Sequence, residues 1–373
     1  MKSISKIQYL ALALFAAFSC SKNDQFLPPE WNYEIPRTDL KGNSQIGAFY
    51  NIYTTADWSS PNGYTPELSR ILDEDGELVD VIPYTATQDG VLTKQLDLAE
   101  IAGIDFFIIP WNNGASESNF ISAYEFYRTH ETKVKLVINY SFGHLKINGL
   151  EATGEDFEKV VDDFKALYTT LFSKDWYYHM PDGRPILIVS GMANETYDWS
   201  SFLPAFRAAM KEYTEELRAG NPDMAPNILD FYIVGENTTN WANPVTNAET
   251  AKHLDANYVL KWFPSTYYER WYCFYPFTDM AWQNWRKYAS EWGNDFIPCI
   301  YPEFEYTDKK ARYIERTEQN YITFCNVAKR NVGSQNLIFI NSWNDFRYDS
   351  ALEPAIEYGD TYMNITRREL SNP

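Results

Sequence analysis

Eight short apolar runs punctuate this chain, and most intervals between them carry apolar residues at helical spacing. The runs are Ile46–Tyr53, Ile104–Pro110, Lys133–Tyr140, Pro185–Ser190, Ile228–Gly235, Ala256–Trp262, Phe296–Tyr301 and Leu337–Trp343. Most lack the alternation of a strand with one wet face, so they predict parallel strands covered by helices on the outside. The last run leads into a dense cluster of amides, carboxylates and aromatic rings, the pattern of a buried scaffold meeting a polar working surface.

The intervals support this reading. In 154–172, Phe157, Val160, Val161, Phe164, Leu167, Tyr168, Leu171 and Phe172 form one stripe, with Thr153 and Asp156 spaced as a capping box. Leu92, Leu96 and Ala99 mark a helix over 90–102, and Gly103 is its expected stop. Further stripes occupy 201–217, 274–290 and 312–329, while the gap from Gly235 to Ala256 leaves room for a short helix only. Strands alternating with helices predict an α/β chain folded as a (β/α)₈ TIM barrel over residues 45–373. An open doubly wound sheet would call for a glycine-rich loop after its first strand, where Asn51-Ile-Tyr-Thr-Thr55 stands instead. The long interval Trp58–Gln88 reads as a surface hairpin or an excursion over the barrel; its Asp73-Glu-Asp-Gly-Glu77 lacks the spacing of a calcium loop.

The N-terminus is a separate object. Lys2 and Lys6 precede the apolar run Tyr9 to Phe18, and Ala17-Phe18-Ser19-Cys20 resembles a lipoprotein processing site. The expectation is a signal peptide over 1–19, lipidation of Cys20, and a tether over 20–44 that holds the domain to a membrane. About ten apolar residues are too few to span a bilayer. Asp24, close behind the cysteine, resembles an export signal to the outer membrane's surface.

Charge narrows the partners. A formal charge of −19 repels phosphate backbones, which argues against nucleic acid and for neutral substrates. Cys273, Cys299 and Cys325 are widely spaced in apolar contexts and read as buried thiols. The four histidines are too scattered for a zinc site, and no Gly-x-Ser-x-Gly elbow is present, so no metal or cofactor is expected.

In a barrel of this kind chemistry belongs to the C-terminal ends of the strands. Those ends carry Tyr50 and Tyr53, Trp111 and Asn112, Asn139 and Tyr140 with His144 beyond, Glu236, Trp262, Glu303 and Glu305, and Trp343, Asn344, Asp345 and Asp349. Aromatic faces pack on the C–H faces of sugar rings, amides and acids bind hydroxyls, and paired carboxylates cleave glycosidic bonds. The mixture therefore points to a carbohydrate partner, with Asp345, Asp349 and Glu303 as catalytic candidates and the others as substrate-binding candidates. Glu353, just ahead of Pro354, reads as structural.

Several segments together resemble the WbsX-like proteins related to glycoside hydrolase family 99. The segment Phe339-Ile-Asn-Ser-Trp-Asn-Asp-Phe-Arg-Tyr-Asp-Ser-Ala-Leu-Glu-Pro-Ala-Ile-Glu-Tyr-Gly359 resembles that group's strand-eight motif, in which Asn-Glu-Trp and a second Glu precede Leu-Glu-Pro and Tyr-Gly. Gly47-Ala-Phe-Tyr50, Gln95 to Phe107, Asp182 to Leu187 and Pro298 to Glu303 fit the same group. The resemblance implies a (β/α)₈ glycoside hydrolase, often acting on α-mannose-containing glycans. By motif position Asp345 would deprotonate the sugar 2-hydroxyl and Asp349 would serve as acid and then base. Both acids are aspartate here, Phe346 replaces the Trp, and Arg347 and Tyr348 together add one residue between the acids. Shorter acids at altered spacing leave a second reading open, a surface lipoprotein that binds glycans without cleaving them. A glycosyltransferase is disfavoured, because nucleotide-sugar donors are not expected outside the cytoplasm.

Overall fold

The structure is a computed structural model that describes residues 33–40, 42–52, 60–72, 74–75, 77–82, 84, 90–111, 125–192, 196–220, 230–236, 248–259, 273–305 and 313–371. The signal segment and Cys20 lie outside these residues. The chain divides into two compact units, and the second, Ile35–Pro373, is the barrel. Within it, residues ahead of the first strand are tied down: the Thr38 N–H donates to Asn326 Oδ1 at 3.0 Å.

The eight apolar runs become β1 (Gln45–Phe49), β2 (Phe106–Trp111), β3 (Lys135–Tyr140), β4 (Ile186–Val189), β5 (Tyr232–Glu236), β6 (Ala256–Tyr258), β7 and β8 (Leu337–Ile340). β7 comes in two pieces, Asp295–Ile297 paired with β6 and Cys299–Ile300 paired with β8. Pro298 separates them because it has no N–H for the ladder, although its carbonyl still accepts from the Phe339 N–H at 2.8 Å. β8 then pairs with β1, Gln45 opposite Leu337 through Ala48 opposite Ile340, and all pairings around the ring are parallel. The described strands therefore close into the eight-stranded barrel that the apolar runs predict.

Helices α1 (Val91–Ala102), α2 (Glu155–Leu167), α3 (Trp199–Gly220), α4 (Ala248–Ala251), α5 (Phe274–Trp292), α6 (Glu318–Asn331) and α7 (Thr361–Leu370) follow β1, β3, β4, β5, β6, β7 and β8, and 125–129 is helical between β2 and β3. α1 stops at Gly103, which takes φ +80° and closes the helix with N–H bonds to Ala99 and Glu100. α2 buries the expected stripe of Phe157, Val160, Val161, Phe164 and Leu167, and Tyr168–Phe172 continue it as a π-turn. Its start differs from expectation: Gly154 is the N-cap and Thr153 makes no capping bond. Asp156 instead accepts the N–H of Asn148 at 2.8 Å, so the acid serves the preceding loop and the box does not form. The β1–α1 interval contains the expected hairpin, Arg70–Leu72 antiparallel to Leu78–Val81.

The barrel interior is packed with Phe106, Ile108, Val137, Ile186, Ile188, Tyr232, Val234, Ala256, Ile297, Leu337 and Phe339. Cys273, Cys299 and Cys325 are buried free thiols. Gly47 makes room for one ring of this core, since a Cβ there would stand 2.2 Å from Phe106 Cε2. Gly47→Ala should therefore cost about 1–3 kcal/mol of overpacking. Urea denaturation checks it, and a loss under about 0.5 kcal/mol would mean that the Phe106 ring swings clear. Among the described residues no helix is long and apolar enough to cross a membrane.

Candidate active site

Alternation along the strands decides which side chains enter the barrel mouth. Val137, Tyr232 and Val234 point inward, so Asn139 and Glu236, two residues further on, do so as well. Asn139 is partly buried, and its Oδ1 is enclosed without a hydrogen-bond partner among the described residues. The Tyr258 hydroxyl donates to Glu236 Oε2 at 3.3 Å. Beneath them Phe49, Tyr258 and Phe339 pack as an aromatic floor with centroids 5.3–6.0 Å apart.

The same alternation turns Tyr50, Trp111 and Tyr140 outward, towards the helices, and His144, Trp343 and Asn344 lie past the strand ends. Tyr50 stacks on Phe107 at 4.8 Å, and its hydroxyl donates to Gln95 of α1. Tyr140 packs on Phe164 of α2 at 4.6 Å and donates to Asp163 at 2.6 Å. His144 lies beside it with one ring nitrogen 3.1 Å from the Ser141 carbonyl and the other 3.1 Å from Asp163. Trp111 is buried with its ring edge-on to His144, and Trp343 is buried against Phe107 at 5.5 Å. Asn344 clamps the exit of β1, accepting the Asn51 N–H at 2.8 Å and donating to the Asn51 carbonyl at 3.0 Å. These six side chains hold the barrel to its surroundings and do not face the mouth. Tyr53, Asn112 and Trp262 lie outside the described residues.

The carboxylates meet beyond β7 and β8. Glu303 follows β7, Glu305 sits on the short strand Phe304–Glu305 paired with Tyr313–Ile314, and Asp349 ends the 3₁₀ turn Phe346–Tyr348. One oxygen from each of these three acids lies within 4.8 Å of the others. Glu303 Oε2 accepts from Arg316 Nε at 2.7 Å and Oε1 from Asn62 Nδ2 at 2.8 Å. Asp349, at φ +53°, accepts from the Ser60 hydroxyl on Oδ1 and from the Asn62 N–H on Oδ2 at 3.0 Å. Short polar side chains tolerate that backbone region better than most. Burial pushes the Glu303 carboxyl up to about 7 against the Arg316 charge and bond, with nearby Asp349 adding to the rise. Burial also raises Asp349, against its bonds to Ser60 and Asn62. Three carboxylates so close suit a hard cation by count, yet Arg316 already supplies a positive charge and both Glu303 oxygens are engaged.

Asp345 is not part of this cluster. It caps the 3₁₀ turn, with Oδ1 accepting the Arg347 N–H and Nε, each at 3.2 Å, and Oδ2 facing Arg347 Nη2 at 3.3 Å. Glu353 is wholly buried behind the strand-eight loop, its Oε2 accepting from the Tyr84 hydroxyl at 2.5 Å and from Gln95 at 3.2 Å. Sequence reading missed Ser60, Asn62, Tyr64 and Arg316. Asn62-Gly63 carries a turn signal, and Gly63 does take φ +77°, but nothing in the sequence ties that turn to the acids.

Asn62 offers a direct test, because its side-chain amide donates to Glu303 while its main-chain N–H donates to Asp349, each favouring a charged carboxylate. Asn62→Ala keeps the main-chain N–H to Asp349 but removes the amide bond to Glu303, so it should raise the folded-state pKa of Glu303 further and lose more stability at pH 8 than at pH 5, by about 1 kcal/mol. Chemical denaturation at the two pH values measures the difference, and equal losses would contradict it.

No protein-family model and no curated protein sequence matches the chain. Solved structures do. The fold is similar to that of a "Glycoside hydrolase-like protein" (TM-score 0.73, 21% identity, 94% of this chain and 99% of that one). It is also similar to two structures of the GH99 endo-alpha-mannosidase from Bacteroides thetaiotaomicron. One, in complex with BIS-TRIS-Propane, has a TM-score of 0.57 at 15% identity, with 87% of this chain and 95% of that one covered. The other has a TM-score of 0.53 at 14% identity, with 88% and 99% covered. The chain thus has the (β/α)₈ barrel fold found in those glycoside hydrolase structures.

Proposed function

We propose that this protein is a glycoside hydrolase acting on an extracytoplasmic polysaccharide or oligosaccharide, with Glu303 and Asp349 as its acting carboxyl groups. One observation carries the reading: at the C-terminal end of the barrel, burial holds the Glu303 carboxyl near pH 7 within 4.8 Å of a second acid. A carboxyl kept protonated near neutrality is suited to give its proton to a leaving oxygen. Asp349, bonded by Ser60 and Asn62, is the partner acid for the anomeric centre. Asn139 and Glu236, inward at the mouth, are the sugar-binding candidates. The strand-eight resemblance and the two endo-alpha-mannosidase structures make α-mannose-containing glycans the first substrates to try. Lipidation at Cys20 would hold the enzyme to an outer-membrane surface.

A non-catalytic glycan-binding protein is the second reading, and one observation favours it. Glu303 and Asp349 are 0% exposed, under bonds from Ser60 and Asn62, so no sugar touches them unless that segment gives way. Reducing-end release across a polysaccharide and oligosaccharide panel, run beside calorimetric binding, separates the two. Turnover lost in Asp349→Asn supports the hydrolase; binding without turnover in the wild type supports the binding protein.

A further inference from the structure

Arg316 lies between Tyr313–Ile314 and α6, and its side chain is 3% exposed. Beyond the Nε bond to Glu303, its Nη2 donates to the main-chain carbonyls of Asp349 at 2.6 Å and Ala351 at 2.9 Å. Three tyrosine rings enclose the guanidinium, with its carbon 5.1 Å from the centroid of Tyr64, 4.2 Å from Tyr358 and 4.7 Å from Tyr362. We propose that Arg316 is a positioning residue of the active site: one planar group grips Glu303 at one edge and the Asp349 loop at another, and so fixes the spacing of the two carboxyl groups. This assignment rests on the hydrolase reading above.

The chemistry favours this role over simple stabilisation. Burying a guanidinium and a carboxylate is costly, and apolar residues of similar volume often stabilise a core as well or better. A rigid fork, by contrast, orients two partners at once, which a lysine ammonium does not. The tyrosine faces add attraction and keep the fork from turning. Among the described residues the titratable and hydrogen-bonding groups facing Glu303 are Arg316, Asn62, Tyr64, Asp349 and Glu305, and Arg316 is the cation of that set. Its removal favours the protonated form of Glu303 and moves the loss of that proton to higher pH.

The test uses Arg316→Gln and Arg316→Lys in the full chain, with two readouts. The first is the infrared band of the protonated Glu303 carboxyl followed against pH and assigned by its loss in Glu303→Gln. The second is the pH profile of kcat/KM on the glycan that the panel identifies. In Arg316→Gln the infrared midpoint and the alkaline limb of the profile should both move up by about one to three pH units. In Arg316→Lys the midpoint should stay near the wild-type value while kcat falls about tenfold or more, with a smaller change in KM. Should Arg316→Gln fail to fold, the lysine variant decides alone: a kcat within twofold of wild type overturns the assignment. An unmoved midpoint in folded Arg316→Gln overturns it too. If the wild type cleaves no glycan while the midpoint still moves, the hydrolase reading falls and the electrostatic hold of Arg316 on Glu303 stands.

Discussion

Glu303→Gln should lower glycan turnover by about a hundredfold to ten-thousandfold, the range expected when a positioned proton donor is lost. Asp349→Asn should be similarly inactive, whereas Asp345→Asn should keep most of its activity, because Asp345 is occupied in capping a turn with Arg347. This order reverses the motif's, in which Asp345 holds the first catalytic position. Glu303→Gln should also be less stable at neutral pH. Its amide offers one acceptor where Arg316 Nε and Asn62 Nδ2 each need one, so a buried donor is left unbonded at a cost of about 1–3 kcal/mol. Turnover of the folded variant within tenfold of wild type would move the proton donor elsewhere, with Glu305 and Glu236 next to be tried.

The second large effect comes from Glu353, where the same exchange should stabilise the protein. Burial lifts the Glu353 carboxyl up to about 8, against the bonds from Tyr84 and Gln95. Above its ordinary pKa of about 4.5 the unfolded chain releases this proton while the folded protein keeps it. Wild-type stability therefore falls as pH rises from about 4.5 to about 8 and levels off above, a loss on the order of 4–5 kcal/mol from this group. Glu353→Gln removes the loss. Its amide oxygen can accept from Tyr84 and Gln95, and its amide nitrogen takes the place of Oε1, which has no hydrogen-bond partner among the described residues. The variant should match wild type within about 1 kcal/mol at pH 5, apart from the cost of that unbonded amide, and exceed it by several kcal/mol at pH 9. Denaturation curves at intervals between these pH values give the answer. If the two proteins lose stability in parallel, Glu353 is charged in the fold and the interpretation is wrong.

The barrel was legible because parallel strands need both faces covered, and the resulting apolar runs stand out from the helical stripes. The division of β7 was less so: Pro298 lies inside an apolar run, and its missing N–H matters only where a neighbour would use it. The Thr153–Asp156 spacing matched a capping box, yet the loop at Asn148 competed for the same carboxylate and won. For the site, the strand ends point to the region where Glu303, Glu305 and Asp349 converge, but residue type alone does not say which side chains turn into the mouth. Tyr50, Trp111 and Tyr140 are the residues that alternation turns away from the mouth. Counting by twos from an inward residue such as Val137 separates Asn139 from Tyr140, a distinction that residue type alone misses. Asp345 looked strongest because it follows the last strand, but a two-residue hydrogen bond to the Arg347 N–H spends its carboxylate locally. Ser60, Asn62 and Arg316 come from connections, where no periodicity announces a partner hundreds of positions away.

The tyrosine enclosure of Arg316 also sets a timetable for the growing chain. Tyr64 is synthesised before Glu303 and Arg316, and Tyr358 and Tyr362 after them, so the arginine's final wall leaves the ribosome later than the ion pair it encloses. A nascent chain halted after β8 could have nearly every strand and still hold its guanidinium in water. Enclosure of the guanidinium that grips Glu303 thus waits for residues made after the strand that completes the barrel.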